Sequence, residues 1–324
     1  MKGLSEGRKN NTYIEKSIKR NKSNFQVLKD NFELLLLTIP ALILFLLFHY
    51  MPMFGIVLAF KDYRYDKGIL GSDWVGFKNF EFFFTSQDAV RILRNTVGYS
   101  LLFMVVGTIG AVVIALLLFE IIDNRGLTKI YQTTMILPRF LSWVVISFIT
   151  YALLNPVHGI LNQILQIFGQ EPIQWYMEIK YWPFILTITN LWNGVGMGSI
   201  IYYAGLMGTD KALYEAAEID GAGRLKQTWY ISIPALVPLI TIQNILSFGR
   251  LFTGDFGLFY QIPRDVGGLY PVTDIINTYV YRGLRGGHIG MSSAVGLFQS
   301  VAGLVMIVIV NQIVRKISPD NSLF

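Results

Sequence analysis

Few residues of this 324-residue chain are of a type and at a spacing that could do covalent chemistry. It has no cysteine, and its three histidines, His49, His158 and His288, stand far apart with no ligand spacing, so no metal site is expected. No Ser/His/Asp set or carboxylate pair suggests a shared catalytic site, and the phosphate-cradling Gly-x-x-x-x-Gly-Lys-[Ser/Thr] does not occur. Asp255-Phe256-Gly257 spells a kinase metal-binding triplet without kinase lobes around it. What remains are polar groups set among apolar ones. They are Glu215-Ala216-Ala217 with Asp220-Gly221-Ala222, then Asn190 to Gly194, then Gln243 to Ser247, and two arginines, Arg139 and Arg250. Such groups bind and transmit, and the chain is expected not to be an enzyme.

The elements that must position them are membrane spans. Hydrophobic residues make up 53% and charged residues only 15%, against about 25% charged in a typical soluble domain. Six segments are apolar enough for about the 20 residues a crossing needs: Leu34–Phe60 with Pro52 near its end, Val97–Phe119, Tyr131–Leu154, Trp182–Met207, Trp229–Gly249 and Ser293–Val314. The first is too long for a signal peptide and reads as a retained span. Eight Lys and Arg precede it, a cluster that marks a cytoplasmic flank rather than a nucleic-acid contact. With the N-terminus inside, 15 of the 27 Lys and Arg fall in the shorter cytoplasmic pieces, and six spans return the C-terminus to the same side. The expected organisation is a basic cytoplasmic segment, 1–33, then one transmembrane domain, 34–324. Its cytoplasmic loop is 208–228, and its outer loops are 61–96, 155–181 and 250–292. Loop 61–96 alternates aromatic and polar groups around Trp74–Phe84, and Gly159–Phe168 has the spacing of a short amphipathic helix.

Loop 208–228 reads as a rigid helix–turn–helix knob. Thr209 or Asp210 can cap a helix over Lys211–Ile219, and Gly221 can take the positive φ that ends it. Ala216 and Ala217 permit close backbone approach, and Glu215 offers an acceptor to a partner's Arg. The stretch resembles the EAA signature of membrane subunits in bacterial ABC importers, which runs Glu-Ala-Ala, three residues, Gly, nine residues, Ile, one residue, Leu, Pro. Glu215, Ala216, Ala217, Gly221, Ile231 and Pro234 fall on it, with Ile233 in place of Leu. The resemblance implies an all-α membrane protein with the type I importer permease fold in the bacterial inner membrane, N- and C-termini cytoplasmic. It also implies that the knob (Glu215, Ala216, Ala217, Asp220, Gly221, Ala222) is a socket for a nucleotide-binding subunit. ATP and Mg would be held by two such ATPase subunits, and this chain would bind no cofactor. A second permease would complete a heterodimer, and an extracytoplasmic solute-binding protein would deliver substrate.

Asn190-Leu191-Trp192-Asn193-Gly194 further resembles the Asn-x-Trp-x-Gly of the carbohydrate branch, the maltose-type permeases. Gly254–Tyr260 and Leu269–Asp274 are most like its LplB-like oligosaccharide and polysaccharide subgroup. This implies substrate contacts at Asn190, Asn193 and Gly194, at Met197 where the branch often has Tyr, and around Asn244, Ser247 and Arg250; independently of the family, Trp192 in the same span offers an aromatic platform. Sugar needs aromatic platforms and neutral amides or hydroxyls, and inside a bilayer such groups must face a cavity or a partner. Arg139 and Arg250 could each match a carboxylated sugar, or reach to the membrane surfaces. The competing reading is an ion-coupled secondary sugar transporter. That class needs midplane acids, and none of the six spans contains Asp or Glu.

Overall fold

The computed structural model describes residues 31–317; most of the basic segment 1–33 and the stretch 318–324 lie outside the described residues. The described chain is helices and loops apart from a two-residue antiparallel ribbon, β1 (Lys61–Asp62) with β2 (Asp73–Trp74). Among the described residues five helices are long and apolar enough to cross a bilayer, and a helix pair bent by 98° passes the same test only when its two halves are taken together. The chain divides into two compact units between Ile56 and Val57.

The first unit contains α1 (Phe32–Phe45), with Pro40 inside it, followed by a π turn over Leu46–Tyr50. Pro52 cannot donate to the carbonyl four residues back, and the regular ladder gives way just before it. Beyond Pro52, 3₁₀ turns carry the helical run on to Phe60, where the expected span ends, 29 residues in all. No side chain of α1 is buried within the chain, and a helix apolar on every side needs lipid or protein around it.

In the second unit, α2 (Lys78–Thr85) precedes α3 (Gln87–Glu120). Hydropathy starts this span at Val97, but the helix begins at Gln87, where the Ser86 hydroxyl accepts from the Ala89 amide at 3.3 Å. Its 34 residues extend about 50 Å, well beyond a hydrocarbon core about 30 Å thick. The additional turns carry Asp88, Arg91 and Arg94, so the last ten residues of the expected loop 61–96 are helix.

α7 (Trp182–Met207) lies along α3 over most of its length. Small residues make this possible. A Cβ on Gly110 would lie 3.0 Å from the Val195 side chain, and one on Gly198 would lie 3.3 Å from that of Ala111. Ala111, Ala115 and Leu118 of α3 form a core with Tyr202, Tyr203 and Leu206 of α7 and with Leu236. A second core gathers Tyr99, Ile146, Trp182, Leu186 and Phe259.

The expected span Tyr131–Leu154 is not one helix. α4 (Arg125–Ile136) ends in a 3₁₀ turn containing Pro138, and α5 (Trp143–Leu154) starts afresh with Ser142 as its cap, accepting from the Val145 amide. The amphipathic helix expected at 159–168 is α6 (Ile160–Ile167). α8 (Lys211–Ile219) and α9 (Arg224–Gln227) form the knob, and a π turn over Thr228–Ser232 leads into α10 (Ile233–Phe248). α11 (Phe256–Gln261) and α12 (Ile276–Arg285) precede the last crossing, α13 (Ile289–Ile317).

Candidate translocation groove and coupling knob

The knob is built by its caps. The Asp210 carboxylate accepts from the Ala212 amide at 3.0 Å, starting α8 at Lys211 as its sequence indicates. At the other end Gly221 has φ +75°, its amide donates to Glu218 O at 3.0 Å, and the Ala222 amide donates to Ala217 O at 2.8 Å. This pair of bonds is a Schellman stop, which places its left-handed residue at Gly221. Glu215, Ala216, Asp220 and Gly221 are exposed, while Ala217 and Ala222 are half-buried. The surface also presents two apolar side chains that sequence reasoning missed, Ile219 at 87% and Leu225 at 77% exposure.

Toward the other end of the same helices lie two adjoining cavities of about 330 and 230 Å³ that share Phe103, Met104, Asn190 and Ser247 in their walls. They form one groove between α3, α7 and α10. Asn190 and Ser247 line both cavities. Gly194 lines the smaller cavity and Arg250 the larger. No other Lys, Arg or His among the described residues lines either cavity.

Four expected contacts lie elsewhere. Trp192 and Met197 are 43% and 51% exposed and line neither cavity; Trp192 lies two residues from Asn190, on the opposite side of α7. Asn244 accepts from the Thr108 hydroxyl at 3.2 Å, which ties α10 to α3. Asn193 is only 4% exposed and serves the broken span. Its Nδ2 donates to Pro138 O at 3.0 Å and its Oδ1 accepts from Arg139 Nη1 at 3.1 Å. One side chain thus satisfies both the carbonyl and the cation that the break leaves in the membrane. Gly196, a turn further on, abuts the same break, since a Cβ there would sit 1.9 Å from Met135 O.

The groove also has a wall that sequence reasoning passed over. α3 contributes Tyr99, Ser100, Phe103, Met104 and Thr108. The signal was present in the sequence as hydroxyls at 99, 100 and 108 of this span. At the groove's outlying end Asp255 is already engaged, accepting from the Leu258 amide at 3.1 Å and from Trp143 Nε1 at 3.1 Å.

Beyond that end, loop 250–292 is pinned to the charged start of α3. Asp274, 1% exposed, is paired with Arg282 and accepts from Arg91 Nη2 at 3.2 Å and from the Thr278 hydroxyl at 2.9 Å. Arg282 also donates to Asp265 at 3.0 Å. Burial works against its charge, but the field and hydrogen bond of Asp274 outweigh that and hold the Arg282 pKa above its usual value. Asn95 adds hydrogen bonds to Pro271 O at 3.1 Å and Asp274 O at 3.0 Å.

Five helices long enough to cross a bilayer with one further bent pair, a polar groove lined by three helices and a rigid polar knob joined to two of those three are the features of a membrane transport subunit. Residues 107–319 match the family described as binding-protein-dependent transport system inner membrane component, and the chain belongs to that family, the non-catalytic permease subunits of ABC importers. It is 34% identical over 309 residues to the polygalacturonan/rhamnogalacturonan transport system permease protein YteP of Bacillus subtilis, covering 95% of each chain. It is 34% identical over 295 residues to protein LplB of the same organism, covering 91% of this chain and 92% of that one. Among solved structures it superposes, with a TM-score of 0.82 and 30% identity, on a chain of a bacterial ABC transporter involved in import of the acidic polysaccharide alginate, covering 91% of this chain and 99% of that one. The same transporter has been solved in complex with its alginate pentasaccharide-bound periplasmic protein, again at a TM-score of 0.82. Membership sets aside the ion-coupled alternative. It makes the protein a multi-pass component of the inner membrane that works with a solute-binding protein and with the importer's ATPase.

Proposed function

We propose that this permease forms half of the path by which an ATP-driven importer takes up an oligosaccharide, the other half coming from a second permease in a heterodimer. Two nucleotide-binding subunits, which hold the ATP and Mg, dock on the knob at Glu215, Ala216, Ala217, Asp220, Gly221 and Ala222. The knob and both termini face the cytoplasm, as the distribution of Lys and Arg favours. The solute-binding protein delivers substrate at the opposite side, over loops 61–96, 155–181 and 250–292. The observation that carries the reading is the single groove shared by Asn190 and Ser247, whose neutral polar and aromatic walls suit hydroxyl rims and pyranose faces. Reconstituted with its partners in proteoliposomes, the complex should take up oligosaccharide only with ATP and the binding protein. Uptake that survives removal of the ATPase would overturn the proposal.

We further infer that the sugar is carboxylated. Arg250 is the groove's cation, and a guanidinium matches a carboxylate bidentately. Two similar proteins are described as serving polygalacturonan/rhamnogalacturonan and alginate. Arg250→Gln should weaken transport of an acidic oligosaccharide by about 10- to 100-fold, the range of a charged hydrogen bond, and leave a neutral one unaffected. Import of neutral but not acidic oligosaccharides would refute this inference.

A further inference from the structure

Three helices line the groove, but only two are joined to the knob by the chain. α7 runs into α8 through residues 208–210, and α9 runs into α10 through the π turn. α3 ends at Glu120, 104 residues before Arg224. It nevertheless supplies a whole wall of the groove, about 30 Å from its knob end at 1.5 Å per residue from Tyr99. If the knob is displaced and α3 stays behind, the groove deforms on two sides only.

Besides its packing along α7, α3 has a polar connection to the knob itself. Glu120 Oε2, on the last residue of α3, lies 2.6 Å from Arg224 Nη1, the first residue of α9. Beside this pair, Tyr214 of α8 touches both neighbouring helices. Its ring packs on Phe119 of α3 with centroids 5.6 Å apart, and its hydroxyl is 2.9 Å from the hydroxyl of Ser232, which is buried at the foot of α10. These groups border a cleft of about 400 Å³ that Glu215 also lines.

We propose that the Glu120–Arg224 ion pair is a strut that makes α3 follow the knob, and that it positions the third wall of the groove during transport. The proposal rests on the reading of the knob as the ATPase dock. Both side chains are well exposed, 41% for Glu120 and 75% for Arg224, and exposed ion pairs contribute little to stability. Breaking this pair should therefore spare folding and subunit assembly and show itself in coupling.

The test uses the assembled complex in proteoliposomes, measuring binding-protein-stimulated ATP hydrolysis, sugar uptake, and co-purification of the ATPase. Glu120→Arg and Arg224→Glu should each raise the ATP hydrolysed per sugar by about two- to fivefold, the range open to a pair of this exposure, with co-purification unchanged. The double exchange, Glu120→Arg with Arg224→Glu, should restore the ratio, and Arg224→Lys should keep it. Unaltered ratios in the single variants, or a double exchange no better than either, would overturn the strut. Glu215→Lys is the separate control for the dock. If it leaves assembly and transport intact, the dock itself is wrong. If it disrupts them while the Glu120 and Arg224 variants are normal, only the strut fails.

Discussion

Asn193 offers the sharpest separation between a groove residue and a structural one. Its sequence position, three residues from Asn190 in the same motif, suggests the transport path, whereas the structure gives it to the break in the fourth and fifth helices. Asn193→Ala removes two hydrogen bonds. Pro138 O retains a second donor, the Leu141 amide at 3.1 Å, so that loss costs about 1 kcal/mol. The bond to Arg139 is charge-assisted and is worth about 1.5–3 kcal/mol. Together the substitution should destabilise the protein by about 2–4 kcal/mol, or lower its unfolding midpoint by roughly 4–16 °C. Asn193→Asp keeps the Arg139 contact and loses the donation to Pro138 O, so it should fall between Ala and wild type. Asn190→Ala should stay within about 0.5 kcal/mol of wild type and change the KM for uptake instead. The assay is thermal unfolding of the purified complex alongside uptake kinetics in proteoliposomes. An Asn193→Ala protein of normal stability with altered KM would refute the assignment of this side chain to the break.

Three further outcomes follow from close contacts and from charge. Gly221→Ala should weaken the knob by about 1–2 kcal/mol from its φ of +75° alone, because nothing lies within 4 Å of the added Cβ; reduced co-purification of the ATPase would register it. Gly196→Ala should prevent normal assembly, since its Cβ would meet backbone at Met135, whereas Gly194→Ala meets nothing within 4 Å and should fold normally while narrowing the groove; yields of assembled complex and uptake rates distinguish the two. Asp274→Ala removes the buried carboxylate between Arg91 and Arg282, which keep Asp88 and Asp265 as partners, and should cost about 1.5–3 kcal/mol, read as faster hydrogen exchange over residues 264–285.

What the sequence disclosed was local in origin. α7 could be read from end to end because Trp182-Pro183 opens it and Gly208 closes it, with no charged residue between. The knob was equally plain, since Asp210 and Gly221 each act through bonds within a few residues of themselves. Hydropathy, however, measures only what suits hydrocarbon. It therefore started α3 at Val97 and missed three helical turns whose charges meet Asp274 and Pro271, some 180 residues away in the chain. It also could not separate Asn190 from Asn193, because both are amides at similar depth. Only the path of α4 and α5 decides which of them faces the groove.

The break itself shows why that path was hidden. Pro138 explains the end of α4 and Ser142 explains the start of α5, but neither explains a bend of 98°. A bend that sharp exposes carbonyls and leaves Arg139 between two apolar helix segments, and it persists only where another helix accepts both. α7 does so with Asn193 for the polar groups and Gly196 for the close approach, one turn apart. The same helix presents Asn190 and Gly194 to the groove. The motif at 190–194 is therefore two functions interleaved at helical spacing. Residues 190 and 194 face the groove. Residue 193, with Gly196 just beyond the motif, fixes the helix that keeps them there.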